Sequence, residues 1–355
     1  MALVLASIIV SLLVLEIGCR LLRGPSTLLH WNNLVLATRL EARRPEIASA
    51  SAYVVDPVLG FVNAPNYASP WANFDSQGFR RMPPPAAGAV MNPPIVATGD
   101  SYTKGEEVDD LETWPVALQE LLNWRTINAG VGAYGLDQTV LRTEQVAREL
   151  EPAVLVVGFI ADNLRRNEMS RMWGREKPYF ALEHGELVLR NVPVPPTPDP
   201  HDTLDFLQTA FGWSVLLDTV LERLRLRSEW HQENVRALPA GSGERMVCPL
   251  MQRLAALQVP TLVVGQYAVW AFGDRAAEER RATRAVLDCA ERAGLATLDV
   301  YDLFAGPVRK DGLSSVYNQW HPNARGYRII AEAIADELER RNMLHLTTTP
   351  SARER

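Results

Sequence analysis

The amino-acid sequence predicts an α/β fold in which helices cover both faces of a parallel β-sheet. The first observation is a nearly continuous apolar run over 153–159, which is typical of a central parallel strand buried on both faces. The second is the alternation of short apolar strands with amphipathic helices at the spacing of a doubly wound sheet. The third is a Gly-Asp-Ser turn directly after an apolar run, at the edge where such sheets bind ligands.

Each element has its own local signal. Strands are predicted where β-branched and apolar residues form short runs bounded by turn residues. Helices are predicted where apolar residues recur at helical spacing, and Pro115 favours the start of the first one at Trp114. The predicted strands cover 95–97, 126–128, 153–159, 261–265 and 296–300, and the later helices cover 138–150, 276–293 and 322–341.

Composition excludes several classes of function. The chain has 355 residues, 47% of them hydrophobic, enough for one large domain or one domain with an insertion. A net charge of −6 provides no basic surface for nucleic acid. The three cysteines lack the spacing of a zinc site or a disulfide framework, and Cys19 lies in an apolar leader, which leaves at most one pair. No metal-ligand spacing is present, so neither a metal nor a cofactor is expected.

Residues 1–23 are predicted to form a transmembrane anchor or signal-anchor. The run from Ala2 to Leu15 is apolar or small, and its extension past Glu16 and Arg20 reaches about 20 residues, enough to span a bilayer as a helix. A cleaved signal peptide and a buried helix are the alternatives, but a basic leading region and a clean cleavage site are missing. The arginines after the run favour a cytoplasmic body under the positive-inside rule.

The remaining chain divides by pattern. A connecting segment is expected over 24–52, the main domain over 53–341 and a flexible tail over 342–355. An insertion over about 164–255 departs from the alternating pattern and contains a β-hairpin turning at His184. It also contains a helical stretch over 203–226, and it forms either a lid beside the active site or a packing extension.

Ser101 is placed for chemistry by its neighbours. Gly99 permits a sharp turn after the apolar run 95–97, so the serine stands at the carboxyl end of a strand with backbone N–H groups nearby. A phosphate-binding loop is a weak alternative, because the Walker spacing is absent. The acidic run over 106–112 is expected to be a solvated loop.

Four segments in this order resemble the sequence blocks of the SGNH, or GDSL-type, hydrolases. The resemblance extends upstream to Asp56-Pro-Val-Leu-Gly-Phe and Asp75-Ser-Gln-Gly-Phe-Arg, and it covers roughly residues 53–340. It implies a three-layer α/β/α domain with a serine nucleophile. The four segments are Gly99-Asp-Ser101, Asn128-Ala-Gly-Val-Gly-Ala-Tyr-Gly135, Val154 to Asn163, and His321-Pro-Asn-Ala-Arg-Gly-Tyr327.

The resemblance assigns Ser101 as nucleophile and His321 as its base, because an unactivated serine needs a base within hydrogen-bond reach. The expected oxyanion hole combines the backbone N–H of Ser101, a backbone N–H in the turn of Gly132 and Ala133, and an asparagine side chain. Ala133 stands where glycine is usual, which is tolerable if its φ is negative. Asn163 is the favoured side-chain donor, with Asp162 at that position as the unfavourable alternative.

A further departure concerns the acid that supports His321. Family members usually carry an aspartate three residues before the histidine, and Asn318 occupies that position here. An amide can fix the imidazole tautomer but cannot stabilise the imidazolium as a carboxylate does. Asp302 or Asp311 could reach the ring instead, or the site could work as a Ser-His dyad.

The resemblance therefore implies a serine ester hydrolase acting on O-acyl groups, acetyl above all, of a carbohydrate. An O-acyltransferase of polysaccharide modification and a weakly active domain that binds glycan remain alternatives. The expected partners are a small ester or acylated glycan and, through the N-terminal helix, a membrane. Similar anchored proteins place the enzyme outside the cytoplasm, so a periplasmic or extracellular domain is expected, against the arginine distribution. The sequence does not indicate an oligomeric state.

Overall fold

The computed structural model describes residues 2–47, 51–196 and 199–344. Most of the predicted tail, 345–355, and part of the connecting segment, 48–50, lie outside the described residues. The chain forms two compact units. The N-terminal unit comprises Met1–Ser51, Ser170–Lys177 and Pro195–Arg236, and the sheet unit comprises Ala52–Met169, Pro178–Val194 and Ala237–Arg355.

Strands and helices alternate through most of the sheet unit. The strands are β1 (Tyr53–Asp56), β2 (Gly60–Asn63), β3 (Val90–Thr98), β4 (Trp124–Asn128), β5 (Val154–Phe159), β6 (Met169–Met172), β7 (Arg175–Glu176), β8 (Tyr179–Glu183), β9 (Glu186–Arg190), β10 (Val235–Arg236), β11 (Thr261–Gly265) and β12 (Ala296–Asp299). The helices are α1 (Ala2–Arg23), α2 (Leu34–Ile47), α3 (Ser101–Lys104), α4 (Trp114–Leu122), α5 (Leu136–Leu150), α6 (Asp162–Arg166), α7 (Phe206–Phe211), α8 (Val215–Arg223), α9 (Arg227–Trp230), α10 (Ser242–Arg245), α11 (Val247–Ala255), α12 (Ala276–Arg292), α13 (Tyr301–Asp311) and α14 (Ala324–Arg340).

The central sheet confirms the predicted fold class. Its order is β4-β3-β5-β11-β12, and all neighbours are parallel. The chain starts in β3, moves outward to β4, and then crosses to β5 on the other side of β3. The point where strand order reverses therefore lies between β3 and β5, and ligands bind at such a point beyond the carboxyl ends of the strands.

Alternate strand residues face two separate cores. Val96 belongs to the core that includes side chains of α5, α11 and α12. Its neighbour Ile95 belongs to the core that includes side chains of α4, α13 and α14. The sheet is therefore buried on both faces, which explains the continuous apolar run in β5.

The predicted elements of this core are confirmed, with small shifts at their ends. The hairpin of β8 and β9 also turns at His184 and Gly185, as predicted. The single helix predicted over 203–226 is wrong: α7 ends at Phe211 and α8 begins at Val215. The break occurs because the carbonyl of Gly212 accepts the N–H of Leu34, a partner that local sequence does not reveal.

The insertion predicted over 164–255 is divided between the units. Residues 170–177 and 195–236 belong with the N-terminal helices, whereas 178–194 and 237–255 belong to the sheet unit. The predicted boundaries at 23, 52 and 164 therefore do not match the compact units. The sequence missed this because the apolar spacing within a segment does not identify its packing partner.

Helix α1 is long and apolar enough to cross a membrane. Its segment Leu3–Arg23 has a mean hydropathy of 2.2 and is mostly exposed. Exposed apolar side chains extend along it from Leu3 to Leu15.

The remaining pair of cysteines forms a disulfide. Cys248 in α11 and Cys289 in α12 are bonded, with their Cα atoms 4.7 Å apart. The bond joins two helices on the same face of the sheet. Cys19 is free.

Candidate active site

The turn after β3 presents Ser101 at the carboxyl end of the sheet. Gly99 has φ +153, and a Cβ on it would lie 2.2 Å from Oγ1 of Thr103 and 2.6 Å from the carbonyl oxygen of Gly158. Only glycine fits this position. Asp100 then caps α3 by accepting the N–H of Tyr102 at 2.9 Å, and Ser101 is the first residue of that one-turn helix.

His321 lies within hydrogen-bond distance of Ser101. Its Nε2 is 2.9 Å from the serine Oγ. The loop before α14 holds the imidazole: the N–H of Asn318 donates to the carbonyl of His321 at 2.9 Å, and the hydroxyl of Tyr102 donates to the carbonyl of Trp320 at 2.7 Å. The Tyr102 ring also lies against the imidazole, with centroids 4.8 Å apart.

The acid beside His321 is Glu107, which the sequence analysis did not identify. Its Oε1 lies 3.0 Å from Nδ1 of His321. Its Oε2 accepts three backbone N–H groups, those of Gln319, Trp320 and His321, at 2.9, 3.0 and 3.3 Å. The carboxylate therefore fixes both the ring and the loop that carries it.

Charge and hydrogen bonding agree on the tautomer. Burial raises the pKa of Glu107, but hydrogen bonds from Trp320 and His321 outweigh burial and hold that pKa below its ordinary value. An ionised carboxylate only accepts hydrogen bonds, so Nδ1 carries the proton. Nε2 is then left with a lone pair that can accept the hydroxyl proton of Ser101.

Asn318 does not contact the imidazole through its side chain. Its Nδ2 instead donates to the backbone carbonyl of Glu107 at 2.7 Å. Both ring nitrogens of His321 are occupied by Ser101 and Glu107, which leaves none for Asp302 or Asp311. Those two aspartates lie exposed on α13. The expected roles of Asn318, Asp302 and Asp311 at the ring are therefore corrected in favour of Glu107.

The expected backbone donors lie in two turns. In the described part of the chain, no hydrogen bond uses the N–H of Ser101, Gly132 or Ala133. These groups remain available to a developing oxyanion. Ala133 has φ +71, so the expectation of a negative φ is wrong, and this alanine holds a conformation that glycine would adopt more easily.

Asn163 is already satisfied within the protein. Its Nδ2 donates to Asp100 at 2.9 Å and to the carbonyl of Tyr134 at 3.0 Å, while its Oδ1 accepts the N–H of Ile160. Both amide hydrogens are thus engaged, and this arrangement does not support Asn163 as an oxyanion donor. It instead ties the nucleophile turn to the loop that contains Gly132.

Asp162 is held away from an oxyanion role by two arginines. Burial raises its pKa, but Arg166 and Arg165 outweigh burial and lower it to about 2. Each of its oxygens accepts a guanidinium N–H at 2.9 Å. Arg166 also reaches Asp100 at 3.2 Å, so it links α6 to the nucleophile turn.

A second carboxylate, Glu106, lies on the other side of the imidazole. Its Oε2 is 3.7 Å from Nε2 of His321, and its Oε1 is 2.6 Å from Nζ of Lys104. That ammonium also donates to the hydroxyl of Tyr53 at 2.9 Å. Burial raises the pKa of Glu106, but Lys104 outweighs burial and lowers it to about 2. A Cβ on Gly132 would lie 2.6 Å from Glu106, so these groups form the wall beside the oxyanion turn.

The prediction of a solvated acidic loop is therefore wrong for its first two residues. The available signal was Gly105, which ends α3 after one turn with φ +86 and returns the chain toward the strand ends. Glu107 itself has φ +65. Within the described residues, no group of three or more His, Cys, Asp or Glu side chains could hold a metal ion.

Comparison with known proteins identifies a family. The sequence model of the GDSL-like Lipase/Acylhydrolase family matches residues 97–329, more than half of the chain. No curated protein sequence matches the chain. The family match includes Ser101, the Gly132 turn and His321.

Several solved structures are similar at low identity. An alpha/beta hydrolase enzyme from the metagenome of Lake Arreo, Spain, has 14% identity and a TM-score of 0.44, with 72% of this chain and 98% of that chain covered. A member of the lipolytic protein G-D-S-L family from Veillonella parvula has 13% identity and a TM-score of 0.39, with 71% and 100% covered. A catalytic mutant of the acetylxylan esterase Axe2 from Geobacillus stearothermophilus has 14% identity and a TM-score of 0.42, with 70% and 95% covered.

Proposed function

The chain belongs to the GDSL-like lipase/acylhydrolase family and hydrolyses esters, and we propose that it does so through an acyl-serine intermediate on Ser101. The observation that supports this is the hydrogen-bond series from the Ser101 hydroxyl through His321 to Glu107, with distances of 2.9 and 3.0 Å. A nucleophile, a base and a group that orients the base are the three parts that serine acyl transfer requires.

In the first half-reaction, Nε2 of His321 takes the hydroxyl proton as Oγ bonds to the ester carbonyl carbon. The resulting oxyanion accepts hydrogen bonds from the N–H groups of Ser101 and the Gly132-Ala133 turn. Glu107 stabilises the imidazolium. The same proton then passes to the leaving alcohol oxygen as the ester C–O bond breaks.

In the second half-reaction, His321 takes a proton from water as the water oxygen attacks the acyl carbon. The tetrahedral intermediate collapses, Oγ of Ser101 leaves and recovers its proton from the imidazolium. The carboxylic acid is released. No other group is needed to balance either half-reaction.

We further propose a small acyl group on a carbohydrate as the substrate. The wall beside Gly132 carries the ammonium of Lys104, the carboxylate of Glu106 and the hydroxyl of Tyr53, which suits a short acyl group better than a long aliphatic chain. Trp320 is adjacent to His321 and half exposed, so its ring provides a flat surface for a sugar.

Catalysis is tested with the full-length protein in detergent on p-nitrophenyl acetate and octanoate. The Ser101→Ala and His321→Ala variants should lose nearly all turnover, whereas His184→Ala, at the distant hairpin turn, should retain it. Wild-type protein should prefer acetate. Turnover that survives Ser101→Ala would reject the acyl-serine mechanism, and a preference for octanoate would reject the small acyl group.

The carbohydrate and the choice between hydrolysis and transfer need a separate experiment. Acetylated oligosaccharides should release acetate at rates that fall when Trp320 is replaced by alanine, with little change for p-nitrophenyl acetate. An O-acyltransferase would instead form acetylated product when an unacetylated oligosaccharide is added, at the expense of free acetate. A glycan-binding domain would bind the oligosaccharide without either product.

We propose that α1 anchors the protein and that the sheet unit lies outside the cytoplasm. Arg20 and Arg39 are buried and hydrogen-bonded in the N-terminal unit, so their presence has a structural cause independent of membrane topology. The Cys248–Cys289 disulfide also favours an oxidising compartment. Alkylation of intact cells before lysis tests this: the two thiols should resist labelling until a reductant is added.

A further inference from the structure

The two charged residues of α1 are buried in the N-terminal unit. Glu16 is 3% exposed and Arg20 is 1% exposed, and they form an ion pair at 2.7 Å. Glu16 accepts hydrogen bonds from the hydroxyl of Ser214 and from the first N–H groups of α8 at 2.8 to 2.9 Å. Arg20 donates to the carbonyls of Thr27, His30 and Trp213.

These bonds fix the start of α8 to a known position along α1. The segment ahead of Glu16 rises about 21 Å, at 1.5 Å for each helical residue. The hydrocarbon core of a bilayer is about 30 Å thick. A membrane that α1 spans from its first turn therefore includes the level of Glu16, and Ser214 and Trp213 share that level because they are bonded to this pair.

The side chains around this level are aromatic and apolar. The Trp213 ring lies 5.5 Å from that of Trp31, and the Arg20 guanidinium lies 3.8 Å above the Trp31 ring. Helix α7 directs Gln208 inward and leaves apolar side chains outward. The exposed fractions are 83% for Leu29, 47% for Trp31, 82% for Phe206, 54% for Leu207 and 49% for Phe211.

We propose that these residues, Leu29, Trp31, Phe206, Leu207, Phe211 and Trp213, form an aromatic rim that inserts into the interface of the bilayer that α1 enters. The inference rests on the proposed membrane anchoring. Aromatic side chains concentrate at the level where hydrocarbon meets headgroups, and this rim is continuous with the exposed apolar surface of α1. The buried ion pair removes the cost of placing Glu16 and Arg20 near hydrocarbon.

The geometry also identifies a matched control outside the membrane. Glu16 contacts the first turn of α8 and Arg23 contacts Asp218, so α8 runs parallel to α1 and away from the bilayer. Leu226 follows the far end of α8 and is 48% exposed, close to the value for Phe211. It lies at least about 13 Å farther from the membrane by helical rise.

The test uses the full chain with Cys19→Ser in lipid nanodiscs. Single cysteines at Phe211→Cys, Leu226→Cys and, in the span, Leu12→Cys carry an environment-sensitive fluorophore. Lipids with a nitroxide on the acyl chain should quench the label at 211 at least threefold more than that at 226, and iodide should quench in the opposite order. Retained hydrolysis of p-nitrophenyl acetate shows that each variant is folded.

Three results would overturn the inference. Equal lipid quenching at 211 and 226 with quenching at 12 rejects the rim alone and leaves the anchor intact. Protection at 211 from both lipid and iodide indicates a protein occupant in place of lipid. Absence of lipid quenching at 12 as well rejects the anchor and the rim together.

Discussion

Glu107 acts on His321 by charge and by position together. It accepts the ring Nδ1–H and three backbone N–H groups of the loop, and its lowered pKa keeps it ionised at neutral pH. Glu107→Gln removes the charge and offers one acceptor oxygen where there were two. We expect kcat on p-nitrophenyl acetate to fall between about 10²- and 10⁴-fold, the range for loss of a general acid-base component.

The matched control for this prediction is Glu112→Gln, another glutamate of the same acidic run with its side chain at a distance from His321. It should change kcat less than twofold. Full activity in Glu107→Gln would mean that the imidazole works as a dyad with Ser101 alone.

Asn318 supports Glu107 through the backbone. Its amide donates to the Glu107 carbonyl, and an aspartate at 318 would be ionised and unable to donate. It would also add a negative charge beside Glu107. We therefore expect Asn318→Asp to lower kcat several-fold, whereas a missing carboxylate at the histidine would predict a gain. Steady-state kinetics decides between them, with the exposed Asn342→Asp as control, and a gain would contradict the assignment of Glu107.

These residue roles show how far sequence reaches. Ser101 and His321 stand in recognisable local motifs, and the structure brings them together. Glu107 carries no such motif, because its position depends on Gly105 ending α3 and on a contact with a loop more than two hundred residues away. Asn163 illustrates the opposite error, since a motif suggested a free amide whose hydrogens are engaged by Asp100 and Tyr134.

At the scale of elements, the turn after α3 depends on the pair of Lys104 and Glu106. Lys104 is buried, so Glu106→Gln would leave its ammonium without a countercharge. We expect a loss of about 2 kcal/mol in the free energy of unfolding at pH 7, typical of a hydrogen bond to a charged group. Urea denaturation of the solubilised protein measures it, with the exposed Glu120→Gln as control.

The pH dependence of that difference has a definite sign. The pKa of Glu106 is about 2 when folded against an ordinary 4.5, so its contribution is present above about pH 4.5. It is lost as the pH falls toward 2. The stability gap between wild type and Glu106→Gln should therefore narrow on acidification. A gap that stays constant down to pH 3 would show that Glu106 acts by packing and not by charge.

The β4-α5 turn gives a separate prediction. Ala133 has φ +71, which costs an alanine about 1 kcal/mol relative to glycine. Ala133→Gly should leave stability unchanged or raise it slightly and should retain activity. Gly132→Ala should abolish activity, because its Cβ would lie 2.5 Å from the hydroxyl of Tyr53 and 2.6 Å from Glu106. Thermal denaturation and turnover of both variants check this, and an active Gly132→Ala would remove the turn from the oxyanion hole.

At the scale of the whole molecule, local pattern predicted the central sheet and its helices because each has a continuous apolar run or stripe. It did not predict the division into units. Residues 170–177 and 195–236 join the N-terminal helices through partners such as Glu16 and Ser214, which are about two hundred residues apart. Such pairings are set by three-dimensional contacts that periodicity cannot encode.

The last prediction concerns the disulfide between α11 and α12. The bond closes a sequence separation of 41 residues, and a loop of that length is worth about 2–4 kcal/mol through restriction of the unfolded chain. Cys248→Ser with Cys289→Ser should lower the thermal midpoint accordingly, and dithiothreitol should lower the wild-type midpoint toward that of the double variant. Cys19→Ser serves as control, because Cys19 is free and should change neither midpoint. Since the bond lies between helices on one face and Ser101 lies at the sheet edge, turnover at low temperature should persist in the double variant. If the reductant leaves the wild-type midpoint unchanged although thiol titration shows full reduction, the bond does not restrict the unfolded chain and the folded core alone holds α11 against α12.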